Sequence, residues 1–172
     1  MITGEPSKHV RCDDSVVRVE HRRGERLLEP SLAAVDNLRC DTVVAGLCSD
    51  VRPLAGALAY LDWRLCGRLS ALVRSGAITG ADGEKVLYPT LQRITPERIL
   101  LLGWGERKKM LDGADGRFAA MMRAADELGA RRIAVVLPEP AADLAGLVQE
   151  HLADALGERL VGVFLPDPLP PV

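Results

Sequence analysis

Aromatic side chains are scarce: the 172 residues include two Trp, two Tyr and two Phe, 3% of the chain. So small a supply excludes a base-stacking platform and a sugar cleft lined with rings. Cysteine is also thin on the ground, and Cys12, Cys40, Cys48 and Cys66 form no C-x-x-C pair and no zinc-ribbon spacing. Reduced thiols are the simplest reading, with a nucleophilic or redox cysteine as the rarer alternative. The three histidines, His9, His21 and His151, are never four residues apart, and no H-E-x-x-H occurs. No histidine-built metal centre is therefore expected, and nothing calls for a cofactor. Ser49 and Ser75 lie outside any G-x-S-x-G, so no serine nucleophile is marked. No apolar run approaches the roughly 18 residues of a membrane span. Met1 to Lys8 has neither the basic start nor the apolar stretch of a secretory signal, so a cytoplasmic protein is expected. Neither sign of charge dominates. The 22 Lys and Arg against 24 Asp and Glu leave a net charge of −2, which offers nucleic acid or an anionic membrane no general attraction.

What is present is apolar and patterned. Hydrophobic residues make up 48% and charged residues 27%, a balance that excludes wholesale disorder. A chain of this length buries about 70% of its unfolded surface in one domain, without needing a metal or a disulfide. Ser15 to His21 alternates as an edge strand would, and Arg22 to Arg26 reads as a turn. Thr42–Leu47 is a short apolar run that suits a buried strand. Leu61, Leu65, Leu69, Leu72 and Val73 recur at helical spacing, and Gly76 stands where a helix end favours a left-handed residue.

Ser75 to Gly83 follows as a glycine-punctuated loop, and Lys85–Tyr88 as a short strand. Its glycines and Lys85 do not make a phosphate-binding P-loop, because Lys85 precedes Val86 rather than Ser or Thr. Arg98–Leu102 is the clearest strand, ended by Gly103-Trp104-Gly105. Phe118, Met121, Met122, Ala125 and Leu128 form the next helix, closed by Gly129, and Arg132–Leu137 the next strand. Leu144, Leu147, Val148, His151, Leu152 and Leu156 mark a last helix before the strand Leu160–Leu165. Pro166, Pro168, Pro170 and Pro171 forbid regular structure after it.

Strands that alternate with helices imply parallel pairs joined by crossovers, with helices on both faces. The adjacent strands at Lys85–Tyr88 and Arg98–Leu102 suggest a hairpin. The expected architecture is a three-layer α/β/α sandwich with a mixed, mostly parallel sheet. Residues 1–30 form an N-terminal extension or edge strand, 31–166 the domain, and 167–172 a proline-rich tail. Residues 138–172 hold one base, Arg159, against six acids, read as the solvated face of the last helix.

Two places carry candidate function. Gly103 and Gly105 follow a strand end, where open α/β sheets bind ligands, with Arg107, Lys108 and Lys109 close behind. One reading is a pocket for an anionic or nucleotide-like ligand, built from Gly103, Gly105, Arg107 and Lys108. The plainer reading is a tight turn with exposed bases, since the third glycine of G-x-G-x-x-G is replaced by Lys108. The second place is Asp62-Trp63-Arg64. Asp62 suits a helix cap, and Trp63 either anchors its helix on the sheet or, if exposed beside Arg64, meets a protein partner.

The motifs Cys40-Asp41-Thr-Val-Val-Ala-Gly46, Leu61-Asp62-Trp63-Arg64, Gly67-Arg68-Leu69, Ala77-Ile-Thr-Gly80, Gly83-Glu84 and Arg98-Ile-Leu-Leu-Leu-Gly103-Trp-Gly105 occur in one order. With the helix from Arg117 to Gly129 and the strand Arg132–Leu137, this run from Asp41 to Leu165 resembles the N-terminal domain of the leucyl (cytosol) aminopeptidase family. The resemblance implies a macrodomain-like fold and no catalysis. In that family the metal ions and catalytic groups belong to a C-terminal domain with the signature Asn-Thr-Asp-Ala-Glu-Gly-Arg. The only asparagine here, Asn37, precedes Leu38, so no catalytic residue carries over. Macrodomains that bind ADP-ribose use an asparagine-rich strand end, which is missing, and glycine-rich phosphate loops, of which Gly103 and Gly105 supply at most part. The resemblance therefore points to a stand-alone non-catalytic module that binds or regulates a protein. Its partner would be a full-length aminopeptidase or a second copy, and the alternative is the small-molecule site at Gly103–Lys109.

Overall fold

The computed structural model describes residues 27–110, 112–138, 152 and 155–164. The edge strand and turn read between Ser15 and Arg26, the proline-rich tail, Cys12 and all three histidines lie outside these residues. The elements run β1 (Leu27–Leu28), α1 (Leu32–Asp36), β2 (Thr42–Cys48), α2 (Gly56–Arg64), α3 (Arg68–Arg74), β3 (Lys85–Pro89), β4 (Arg98–Gly105), α4 (Ala114–Glu127), β5 (Ile133–Val136) and β6 (Leu160–Phe164). Six strands form one sheet in the order β1-β6-β5-β2-β4-β3. Every pair is parallel except β3 with β4, which is antiparallel as the sequence predicts.

Side-chain alternation along β2 divides the core in two. Val44 and Cys48 face α4 and join Phe118, Met121, Ala125, Leu100, Leu102 and Trp104. Val43, Ala45 and Leu47 face the other way and join Leu58, Leu61, Leu65, Leu69 and Ile78 beneath α2 and α3. All seven residues of β2 are buried, because helices cover both faces of this central strand. Trp104 and Phe118 meet edge to face, their ring centroids 5.5 Å apart. Of the expected last helix, Leu152, Ala155 and Leu156 are helical, and Leu152 and Leu156 are buried in the α4-side core.

The single helix read through Leu61, Leu65, Leu69 and Leu72 is two. Cys66 (φ 56°) and Gly67 (φ 74°) are left-handed and break it between α2 and α3. The apolar spacing survives the break because both helices press on the same core. Cys66 N–H donates to the Trp63 carbonyl and Gly67 N–H to the Asp62 carbonyl, which closes α2 with paired reverse bonds. Gly67 has no side chain to cap α3. Asp62 takes that part from the preceding helix: its Oδ1 accepts the N–H groups of Leu69 (2.8 Å) and Ser70 (3.1 Å), and its Oδ2 the Ser70 hydroxyl. The cap suggested by sequence therefore exists, but for the next helix. Gly76 closes α3 as expected, with φ 72° and an Ala77 N–H to Leu72 carbonyl bond.

Candidate ligand cavity and Trp63 face

Gly103 does not end β4; the strand runs through it and ends at Gly105. A β-carbon on Gly103 would lie 1.8 Å from the Ala81 carbonyl oxygen, so the 80–83 loop packs directly on this strand. Gly83 N–H donates to the Gly103 carbonyl, Gly103 N–H to that of Glu84, and Gly105 N–H to that of Gly80. Gly103 is thus glycine for close approach, and only Gly105 (φ 71°) is glycine for backbone shape. The turn expected in Gly103-Trp104-Gly105 falls at Gly105, the left-handed last residue of the strand.

Beside Gly103 lies an open cavity of about 360 Å³ between the 82–83 loop, Lys85, Leu102, Trp104 and the first turns of α4. Its charged residues are Asp82, Lys85, Asp112 and Arg117. Arg117 Nε donates to Asp82 (3.1 Å), and its Nη1 donates to the carbonyls of Met110, Lys109 and Asp112. Arg117 is the main residue that sequence reading missed as more than part of a helix. The available signal was a cation in the first turn of a helix, where the dipole disfavours it unless another contact holds it. Arg107 and Lys108 lie outside this cavity, exposed on a 3-10 turn. Arg107 N–H donates to Asp50 (2.8 Å), and Glu106 pairs with Lys108 (3.2 Å) and Lys109 (3.4 Å). Of Gly103, Gly105, Arg107 and Lys108, Gly103 alone lines this cavity, and carboxylates stand beside Lys108, Lys109 and Arg117.

The crevice between the ends of the parallel strands β2 and β5, where the strand order reverses, is narrow among the described residues. It holds about 20 Å³ among the described residues and is lined by Gly46, Leu47, Cys48, Leu58, Leu137 and Pro138. A β-carbon on Gly46 would meet Pro138 Cδ at 2.8 Å and the Trp104 indole at 2.9 Å. Cys40 and Cys48 are buried, and burial pushes their thiols up to about 12 and about 11 respectively, which leaves neither a thiolate near neutral pH. Cys66 is exposed. Among the described residues no three His, Cys, Asp or Glu side chains form a metal cluster. Among them, too, no helix is long and apolar enough to cross a membrane.

Two carboxylates secure the loops at opposite ends of the sheet. Burial works against ionisation of Glu84, but N–H groups of Thr79 and Gly80 and the Thr79 hydroxyl outweigh it. Asp41 is likewise held below its usual value: burial is outweighed by the Thr42 hydroxyl, the N–H groups of Arg132 and Arg131, and the charge of Arg98. Each carboxyl is more acidic folded than unfolded. Its stabilisation is complete above the unfolded value and is lost as pH falls through the folded one. The melting temperature should therefore drop below about pH 4.5 and keep falling with further acid. Glu84→Gln should flatten that fall, and an unchanged pH profile in this variant would remove Glu84 from the account.

Trp63 does not anchor α2 on the sheet; it is 70% exposed. Arg64 beside it pairs with Asp36 of α1, while its buried Nε has no partner. Arg93 Nη1 donates to Cys66 Sγ (3.3 Å), which ties the loop after β3 to the turn that follows Trp63. That loop carries Leu91 and Gln92 at φ 54° and 61°, a conformation side chains rarely adopt.

A six-stranded mixed sheet between helical layers, with an open cavity at one end of β4, belongs to the macrodomain-like class of α/β folds. The macrodomain of Mycobacterium tuberculosis DarG matches with a TM-score of 0.57 at 18% identity, over 84% of this chain and 100% of that one. The macrodomain of Thermus aquaticus DarG matches with a TM-score of 0.56 at 16% identity, over 83% and 97%. The chain belongs to the cytosol aminopeptidase family, whose N-terminal domain pattern matches residues 45–158. A probable cytosol aminopeptidase of Alkaliphilus oremlandii is 26% identical over 59% of this chain and 20% of its own length. One from Pseudomonas syringae pv. tomato is 32% identical over 45% and 15%. A tomato leucine aminopeptidase mutant matches in structure with a TM-score of 0.55 at 20% identity, over 86% of this chain and 33% of its own. The chain thus spans about a fifth or less of the curated relatives, and the stretch it shares is their family's N-terminal domain.

Proposed function

We propose that this domain is a non-catalytic, cytoplasmic module that binds a protein through the face around Trp63. The observation that carries the reading is the exposure of Trp63 on a helix end that cannot rearrange cheaply. Reverse hydrogen bonds close α2, Asp62 joins it to α3, and Arg64 holds it to α1. A rigid, solvent-facing indole is costly to keep in water and is a frequent centre of binding energy at protein interfaces. Family membership supplies the candidate partner, an aminopeptidase of the same family in the same cell. The small-anion reading at Gly103–Lys109 is less favoured, because Arg107 and Lys108 lie outside the cavity and Glu106 pairs with Lys108 and Lys109.

The experiment measures binding of that aminopeptidase to the full chain and to Trp63→Ala. The variant should bind at least about tenfold more weakly, as loss of an interface anchor does. Its melting temperature should stay close to that of the wild type, because exposed substitutions change stability by only about 0.5 kcal/mol. Equal binding by Trp63→Ala would reject this face. Hydrolysis of a leucine anilide, with zinc or manganese added, that co-purifies with the chain would reject the non-catalytic reading.

A further inference from the structure

We propose that two copies of this chain associate edge to edge through β3, antiparallel, with the two-fold axis at Leu87. Among the described residues β3 is the last strand of the sheet and pairs on one side only, with β4. The bonds from Gly103 N–H to the Glu84 carbonyl and from Thr90 N–H to the Glu97 carbonyl fix which backbone groups point inward. In an antiparallel ladder of this register, residues 84, 86, 88 and 90 face β4, while Lys85, Leu87 and Pro89 turn their backbone outward. Pro89 fits this assignment, since an outward position is where a strand tolerates a missing N–H.

The outward edge is complementary to itself in one register. With the axis at Leu87, the two Leu87 residues exchange both of their hydrogen bonds. Each Lys85 N–H then meets the Pro89 carbonyl of the other copy, so every outward donor has an acceptor. A shift by one repeat in one direction sets Lys85 against Lys85, a like-charge pair across strands. A shift in the other direction sets Pro89 against Pro89, where neither strand has a donor. Lys85 and Pro89, residues that commonly guard exposed edges, here leave a single permitted alignment.

Apolar exposure concentrates at the same place. Among the described residues the exposed large hydrophobics are Trp63, Leu87 (48%) and Leu91 (73%). Two of these three lie on β3 or just past its end. In the Leu87 register the two Leu87 side chains become cross-strand neighbours and shield each other. Because the contact uses the same patch on both copies, it closes as a dimer and does not propagate. The pairing uses the backbone of β3 and not Trp63, so this proposal and the Trp63 reading can fail independently.

The test is the mass of the full chain in solution by light scattering or sedimentation across a concentration series. The wild type should approach twice the monomer mass as concentration rises. Leu87→Pro deletes the central outward N–H, and Leu87→Lys sets two ammonium groups on the axis; both should halve the mass at concentrations where the wild type is dimeric. Leu87→Val should restore the dimer, Trp63→Ala should leave it unchanged, and circular dichroism should show each variant folded. A wild type that stays monomeric throughout, or a dimer that persists in Leu87→Lys, overturns the proposal.

Discussion

Gly103→Ala is expected to lower stability by about 3 kcal/mol, the upper end of what one added methyl costs in a tight site. For a chain of this size that is a fall of roughly 6–12 °C in melting temperature. The cause is specific: the new β-carbon would stand 1.8 Å from the Ala81 oxygen, and backbone on both sides has little freedom to yield. The 80–83 loop would have to lift, breaking its bonds to Gly103 and Gly105. Gly116→Ala provides the opposite sign. Gly116 lies within α4 and nothing approaches its would-be β-carbon within 4 Å, so alanine there should stabilise by about 0.5–1 kcal/mol. Thermal unfolding of the two variants side by side checks both directions. Equal melting temperatures would mean that the loop does not rest on the strand.

Trp104→Ala should cost about 3–5 kcal/mol, as for other buried tryptophans cut to a methyl. The side chain is fully buried between Phe118 and the sheet, and it fills the space above Gly46. That second contact gives a sharper test than the size of the loss. Gly46→Ala alone should also destabilise, because its β-carbon would press on the indole and on Pro138. In Trp104→Ala the indole is gone, so adding Gly46→Ala should then cost less than it does in the wild type. Urea unfolding of the two single variants and the double variant measures the coupling. Strict additivity would show that the indole does not close the crevice between β2 and β5.

Much of this fold could be read from the chain because its strands are short apolar runs with strong boundaries. Thr42–Cys48, Arg98–Gly105 and Ile133–Val136 are buried on both faces, and such strands announce themselves without alternation. The antiparallel β3 followed from its closeness to β4 in sequence. The break at Cys66–Gly67 was hidden because leucines keep their spacing across it, which outweighed the warning that Gly67 offered. At the candidate sites, types of residue were visible but juxtapositions were not. Nothing local tells that Gly103 faces the Ala81 carbonyl, that Arg117 reaches Asp82, or that Arg64 finds Asp36 in another helix. Each is a contact between distant parts of the chain, set by the packing of loops. Trp63 could be read either as an anchor or as a surface residue, and the face it takes depends on where α2 ends.

Asp62 ties the fates of two helices together. It belongs to α2 by sequence, yet its carboxylate completes the first turn of α3. Fraying α2 from its C-terminal end would carry that carboxylate away and strand the Leu69 and Ser70 donors. Partial opening of one helix therefore has no inexpensive form that leaves the other intact, and the pair should open as one cooperative unit. Slow, matched exchange of amide protons across residues 61–73 would be its signature, with Trp63 displayed from the middle of a segment that opens all together or not at all.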